Sequence, residues 1–186
     1  GMMRPVTLYL IRHGQVSAGF DQAYDPGLDS VGRAQAEAIG GELESLGPLP
    51  LVSSPLRRTR ETAAAFEKRW NVQATIEPAV AEIPSPTDDL QARMDWLRQA
   101  MQGRWADLPP TYRQWRGHVV AALLAMKKPT IVITHFIAIN AAVGSATQDD
   151  RLVCFEPDNC SCTRIEVADG TLRLVELGRR RETDVL

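Results

Sequence analysis

The sequence is poor in several features that would disclose a function at first reading. Cysteine is scarce: Cys154, Cys160 and Cys162 are the only three in 186 residues, crowded into one short stretch. An odd number so placed gives neither a disulfide framework nor a zinc pattern with partner ligands elsewhere. The three read as reduced thiols of a cytoplasmic protein. Neither sign of charge prevails, since 21 Lys and Arg against 23 Asp and Glu leave a net charge of −2. That is too little to mark a general binder of nucleic acid or of a membrane surface. No apolar run approaches the ~20 residues needed to span a bilayer. The opening Gly-Met-Met-Arg-Pro lacks an apolar stretch, so no secretory signal is expected, and Gly1 ahead of Met2 reads as an expression scar. Internal repeats, low-complexity tracts and long linkers are missing too. No Asp, Glu and His cluster has metal-ligand spacing, and neither a metal nor an organic cofactor is expected.

What the chain does have is enough apolar residue for a core, 44% hydrophobic in composition. Its length suits a single domain over residues 1–186. Residues 6–11 are a short, nearly continuous apolar run, as expected of a strand buried on both faces. Asp29 can cap a helix reaching about residue 46, stopped by Gly47-Pro48. A strand over 49–53 leads to Ser54-Pro55, which read as an N-cap and an N1 proline for the next helix. A weak strand over 74–77, helices over 87–101 and 112–126, a confident strand over 130–134 and a buried helix over 136–143 follow. Strands over 163–167 and 171–177 flank Asp169-Gly170, a hairpin signal.

Strands alternating with helices imply right-handed crossovers. The expected fold is therefore α/β: a three-layer α/β/α sandwich, its sheet mostly parallel with an antiparallel element and a C-terminal hairpin. The segment 84–110, bounded by prolines and carrying Trp96 and Trp105, reads as a lid-like insertion over the active face.

In an open α/β sheet, ligands bind beyond the carboxyl ends of the strands. The first strand delivers Arg12-His13-Gly14 there, the second Ser53-Ser54-Pro55-Leu56-Arg57-Arg58, and the fourth His135. Two imidazoles and at least one guanidinium thus converge with no carboxylate among them. Such a set suits an anion, and the forked donors of arginine suit phosphate better than a point charge would. Gly14 would let the backbone approach a ligand or adopt a positive φ. Of Arg57, Arg58 and Arg60, one or two can face the pocket and the rest form a solvated face. A cationic first helical turn opposes the helix dipole, a local mismatch that itself points to an anion. His118, on a predicted helix with Arg113 and Arg116, reads as a surface histidine, and the Arg179-Arg180-Arg181 run reads as solvated in preference to lying near an interface.

Three stretches carry a family resemblance: Leu10-Ile11-Arg12-His13-Gly14-Gln15, Leu28-Asp29-Ser30-Val31-Gly32-Arg33-Ala34-Gln35-Ala36, and Ser53-Ser54-Pro55-Leu56-Arg57-Arg58-Thr59-Arg60-Glu61-Thr62-Ala63. With Ala81-Glu82-Ile83 and Ile133-Thr134-His135 following in order, the chain resembles the histidine phosphatase superfamily, also called phosphoglycerate-mutase-like, over about residues 6 to 145. The resemblance implies that His13 is a nucleophile forming a phosphohistidine. Arg12 and Arg58 would clamp the phosphate oxygens with a further hydrogen bond from His135, and Glu82 would donate the proton to the leaving group. The physics agrees, because flanking arginines disfavour imidazolium and keep a histidine nucleophile neutral. A general acid must instead hold its proton, which calls for a raised pKa at Glu82.

Departures from the family pattern bear on the substrate. Pro84-Ser-Pro-Thr-Asp-Asp89 follows Glu82 in place of a Gly-x-Trp-Glu-Gly-like stretch, and Phe136 stands where a glycine is common. Gln15-Val16-Ser17-Ala18-Gly19 replaces a Glu-Thr-x-x-Asn run, which makes Ser17 a candidate phosphate donor in place of an asparagine. The leading expectation is a cytoplasmic phosphatase hydrolysing phosphomonoesters without metal or cofactor. Sugar phosphates, a nucleotide-loop phosphate and a phosphoprotein are all open as substrates, with no nucleic acid or membrane partner. The alternatives are a phosphoglycerate-mutase-type phosphotransferase and a non-catalytic phospho-ligand binding module.

Overall fold

Burial on two faces explains why the central strands are apolar throughout. In β4 (Thr130–Thr134) all five residues are buried. Its Ile131 and Ile133 join Ile11 and Leu51 in one apolar cluster, while Val132 joins Leu8 and Leu10 in another. Successive side chains of a strand point to opposite faces, so the two clusters lie on opposite sides of one sheet. The computed structural model describes residues 4–17 and 25–182.

The other strands are β1 (Val6–Arg12), β2 (Leu51–Ser53), β3 (Thr75–Ile76), β5 (Cys162–Ala168) and β6 (Thr171–Glu176), in the order β3-β2-β4-β1-β5-β6. β3, β2, β4 and β1 run parallel, and β5 and β6 add the antiparallel end. Five α-helices are described: α1 (Ser30–Leu43), α2 (Arg57–Trp70), α3 (Leu90–Ala100), α4 (Pro110–Leu124) and α5 (Phe136–Thr147). α1 and α2 supply Ile39, Ala63 and Phe66 to one face. α4 and α5 supply Val119, Leu123, Ile137 and Ile139 to the other. The mixed sheet between two helical layers is the α/β architecture expected from the sequence.

Boundaries shifted where a polar side chain found a different partner. α1 has its expected cap, with Asp29 accepting from the Gly32 amide at 2.7 Å. α2 does not begin at Pro55. Leu56 is the N-cap and makes no side-chain cap bond; Asp25 accepts the Arg57 amide at 2.7 Å instead, while the Ser54 hydroxyl bonds His135 and Thr59, each at 2.8 Å, and accepts only the Leu56 amide at 3.2 Å. α3 starts at Leu90 rather than 87, since Asp89 accepts from the Ala92 amide at 2.9 Å and a carboxylate caps more strongly than the Thr87 hydroxyl. The segment 84–110 is of two kinds. α3 has only Ala100 fully buried, whereas Trp105, 0% exposed, is set into the core and its amide donates to the Asp150 carbonyl at 3.0 Å.

Candidate active site

The strand order places β2, β4 and β1 side by side, so their carboxyl ends form one edge. The ends are laced together: the His13 amide donates to the Thr134 carbonyl and the Ser54 amide to the Ile133 carbonyl, both at 3.1 Å. On this edge the sequence-predicted His13, Arg58 and His135 are all buried, at 4%, 2% and 0% exposure.

His13 is fixed in one tautomer. Its Nδ1 lies 2.7 Å from the Gly14 carbonyl oxygen, an acceptor only, so Nδ1 carries the hydrogen and Nε2 keeps its lone pair. Arg58 Nε donates toward that Nε2 at 3.3 Å. Burial, then the charges of Arg12 and Arg58, holds the imidazole well below its ordinary pKa, so at neutral pH Nε2 is unprotonated. One of the two reasons expected for Gly14, a positive φ, does not apply. What it permits is contact with α1: a Cβ built there would stand 2.6 Å from the Gly32 carbonyl oxygen. From Gly32, in turn, a Cβ would stand 2.1 Å from the Gln15 carbonyl oxygen. The Gly14 amide donates to Thr62 Oγ1 of α2 at 3.0 Å.

His135 stands beside His13, their ring centroids 5.4 Å apart. Its Nε2 shares a hydrogen with Ser54 Oγ, which in turn bonds Thr59 Oγ1. Nδ1 is buried and has no hydrogen-bond partner among the described residues. Burial, followed by the charges of Arg58 and His13, lowers this pKa as well.

Arg12 is held from three sides. Its Nη1 donates to the Pro157 carbonyl at 3.1 Å, its guanidinium lies 5.2 Å over the Phe136 ring, and burial with the nearby Arg181 charge brings its pKa down to about 10. Arg181 lies over the same ring at 5.8 Å, so Phe136 is a shared platform for two cations. The loop before β5 braces the backbone at Arg12 and His13: Asn159 Nδ2 donates to the His13 carbonyl at 3.0 Å and the Cys160 amide to the Arg12 carbonyl at 2.8 Å.

Glu82 answers from the opposite side. One carboxylate oxygen, Oε1, accepts the amides of Ile83, Ile137 and Ala138 at 3.1–3.2 Å, and Oε2 shares only that of Ile137. The side chain thus caps the start of α5. Burial raises its pKa above the ordinary carboxylate range, against the opposing pull of the Ile137 and Ile83 amides. Oε2, the less occupied oxygen, is the one left to hold a proton.

Arg12, His13, Arg58 and Glu82 line a common cavity of about 180 Å³. Its far wall is α3, with Arg93, Met94, Leu97 and Met101. His135 lies behind His13 and is not on the wall. Ser17 is exposed, does not line the cavity, and donates its amide to the Gly27 carbonyl at 2.9 Å; Ala18 and Gly19 lie outside the described residues. Arg57 and Arg60 are exposed, with Arg57 paired to Glu61, and His118 is exposed as expected. Arg181 reverses its expectation as a solvated residue: it lines the cavity. The bracing roles of Ser54, Thr62 and Asn159 are not legible in the sequence, because they depend on pairings between segments far apart in the chain. No group of three or more His, Cys, Asp or Glu among the described residues could hold a metal ion.

Comparison with known proteins places these features in a family context. The model of the histidine phosphatase superfamily (branch 1) matches residues 8–180. The chain is 25% identical to the "Probable phosphoglycerate mutase GpmB" of Salmonella paratyphi C, over 88% of this chain and 86% of that protein. It is 27% identical to the glucosyl-3-phosphoglycerate phosphatase of Mycobacterium tuberculosis, over 81% of this chain and 69% of that protein. Among solved structures, the fold is shared with the phosphoserine phosphatase of Entamoeba histolytica in complex with 3-phosphoglyceric acid. The TM-score is 0.74 at 18% identity, over 95% of this chain and 98% of that one.

Proposed function

From the premise that this chain belongs to the histidine phosphatase superfamily, branch 1, we propose a phosphatase of the histidine acid phosphatase type acting on small phosphomonoesters through a phosphohistidine on His13. His13 Nε2 attacks phosphorus and the ester P–O bond breaks. The leaving oxygen takes the proton from Glu82. Water then attacks the phosphohistidine and gives a proton back to the Glu82 carboxylate, releasing phosphate. Arg12 and Arg58 stabilise charge on the transferring group, as preorganised cations in a partly water-excluded site do. His135, off the cavity wall but beside His13, has its Nδ1 unpartnered among the described residues and would turn that nitrogen to the phosphate for a further hydrogen bond.

The observation that carries this reading is the tautomer lock on His13. A merely anion-binding histidine would present a donor; this one presents a lone pair flanked by arginine. Similarity to the glucosyl-3-phosphoglycerate phosphatase and the phosphoserine phosphatase fold supports a small phosphorylated substrate. Residues 84–110 supply a cover, which the α3 wall supports. No helix among the described residues is long and apolar enough to cross a membrane, and three free thiols support a cytoplasmic setting. Mutase-type transfer is the second reading, favoured by the similarity to GpmB.

The test is p-nitrophenyl phosphate hydrolysis with chelator present throughout, alongside trapping of the phosphoenzyme. The wild type should turn over and yield an acid-labile, alkali-stable phosphoprotein, and His13→Ala should fold and do neither. Turnover by folded His13→Ala, or activity dependent on added magnesium or zinc, would sink the proposal. Transfer to an added phosphoglycerate in preference to water would establish the second reading.

A further inference from the structure

The wall that α3 turns toward the cradle is unlike the cradle itself. Met94, Leu97 and Met101 recur at helical spacing along one face, and all three are half-buried: Leu97 and Met101 pack against the core on one side, and all three border the cavity on the other. Ile83, Phe136 and Ile137 face the same space. The two methionines add a surface that can adapt to an irregular apolar shape.

The polar side chains in that space are mostly donors, and acceptors for a substrate's hydroxyls are few. Arginines can donate but not accept. Glu82 is committed to backbone amides. Ser85, the one neutral hydroxyl side chain on the described wall, spends its hydrogen on the Thr87 carbonyl at 2.9 Å and leaves its oxygen as a single neutral acceptor. Arg98 is paired with Asp95 at 3.2 Å. Arg93, also on the wall, can donate but not accept. The hydroxyls of a polyol, once inside, would have donors facing them and few side-chain acceptors among the described residues. A buried hydroxyl without an acceptor is costly.

Building on the phosphatase reading, we infer that the site prefers phosphomonoesters whose alcohol is an apolar alkyl or aryl group over polyol phosphates, and that Met94, Leu97 and Met101 make the selection. The apolar body lies along α3 while the phosphate sits between Arg12 and Arg58. Each methylene withdrawn from water should favour the complex by about fourfold.

The experiment is kcat/KM for n-alkyl phosphates from ethyl to hexyl, with propyl phosphate set against glycerol 1-phosphate as a three-carbon pair. The series should climb by up to about fourfold per methylene until the cavity is full. Propyl phosphate should exceed glycerol 1-phosphate by about tenfold or more, the cost of hydroxyls left unpaired. In Leu97→Asn the hexyl-to-ethyl ratio should fall about tenfold; Met94→Ala, a gentler change, guards against a folding defect and should lower the same ratio. A flat series, or glycerol 1-phosphate matching propyl phosphate, overturns the inference and leaves a phosphatase of different preference. Phosphate release from none of the esters removes both.

Discussion

Acid should destabilise this protein through its two buried imidazoles before it reaches most of its carboxylates. His13 and His135 are almost fully inaccessible, and burial reinforced by the neighbouring arginines holds both well below the ordinary histidine pKa. In the unfolded chain each titrates near ~6.5. Below that pH, and until the folded-state pKa is reached, the unfolded chain binds protons that the fold refuses. Stability therefore rises with pH across this window and is lost as pH falls. The limiting slope is about 1.4 kcal/mol per pH unit for each histidine, and about 2.7 for the pair. Glu82 has the opposite sign: its raised pKa makes its contribution grow as pH falls toward the unfolded carboxylate value. Because Glu82 is common to wild type and variants, it cancels in the difference. Urea unfolding of wild type, His135→Gln and the double variant with His13→Gln, from about pH 7 to 5, isolates the effect. Phosphate-free buffer is required, since an anion bound to the fold adds its own linkage. Each replacement should flatten the dependence by up to about 1.4 kcal/mol per unit. Parallel curves for all three proteins would refute burial of neutral imidazoles as the source.

Two further outcomes follow from the site. Glu82→Gln keeps an acceptor oxygen for the amides of Ile83, Ile137 and Ala138 but removes the transferable proton. Alkyl phosphate turnover should fall ~10²–10⁴-fold, and p-nitrophenyl phosphate turnover far less, because nitrophenolate leaves unaided; equal, small losses would show Glu82 to be only the cap of α5. Ser54→Ala removes the hydroxyl that orients His135 at 2.8 Å and should cost about 1–3 kcal/mol in urea unfolding while lowering kcat more than it raises KM. Unchanged kcat would detach His135 from the chemistry.

Legibility in the sequence tracked how local each signal was. β1 and β4 were plain because burial on both faces leaves them apolar end to end, and the hairpin at Asp169-Gly170 is a two-residue signal. β3 shrank to Thr75–Ile76, since it lies at the sheet's edge with little to pair against. The residues that aim the site were illegible for the same reason in reverse. Ser54, mistaken for a helix cap, acts on His135, 81 positions away, and Asn159 reaches His13 across 146 positions. Arg181 looked like one of three solvated cations until the fold carried it over Phe136. A pattern can announce a nucleophile, but its braces are assigned by strand order.

The meeting of Gly14 with Gly32 divides the molecule's capacity for change. There the loop after His13 and the start of α1 touch as bare backbone, with no clearance for even a methyl group on either side. Neither position can be explored one mutation at a time, because any side chain at one displaces the chain at the other. The arrangement ties His13 to the α1–α2 layer through Gly14, so drift in that layer would shift the position of His13. α3, with a single fully buried residue, carries no such obligation. New specificities in this scaffold should accordingly arise by rewriting α3, while the opposite layer stays fixed as the datum from which His13 is positioned.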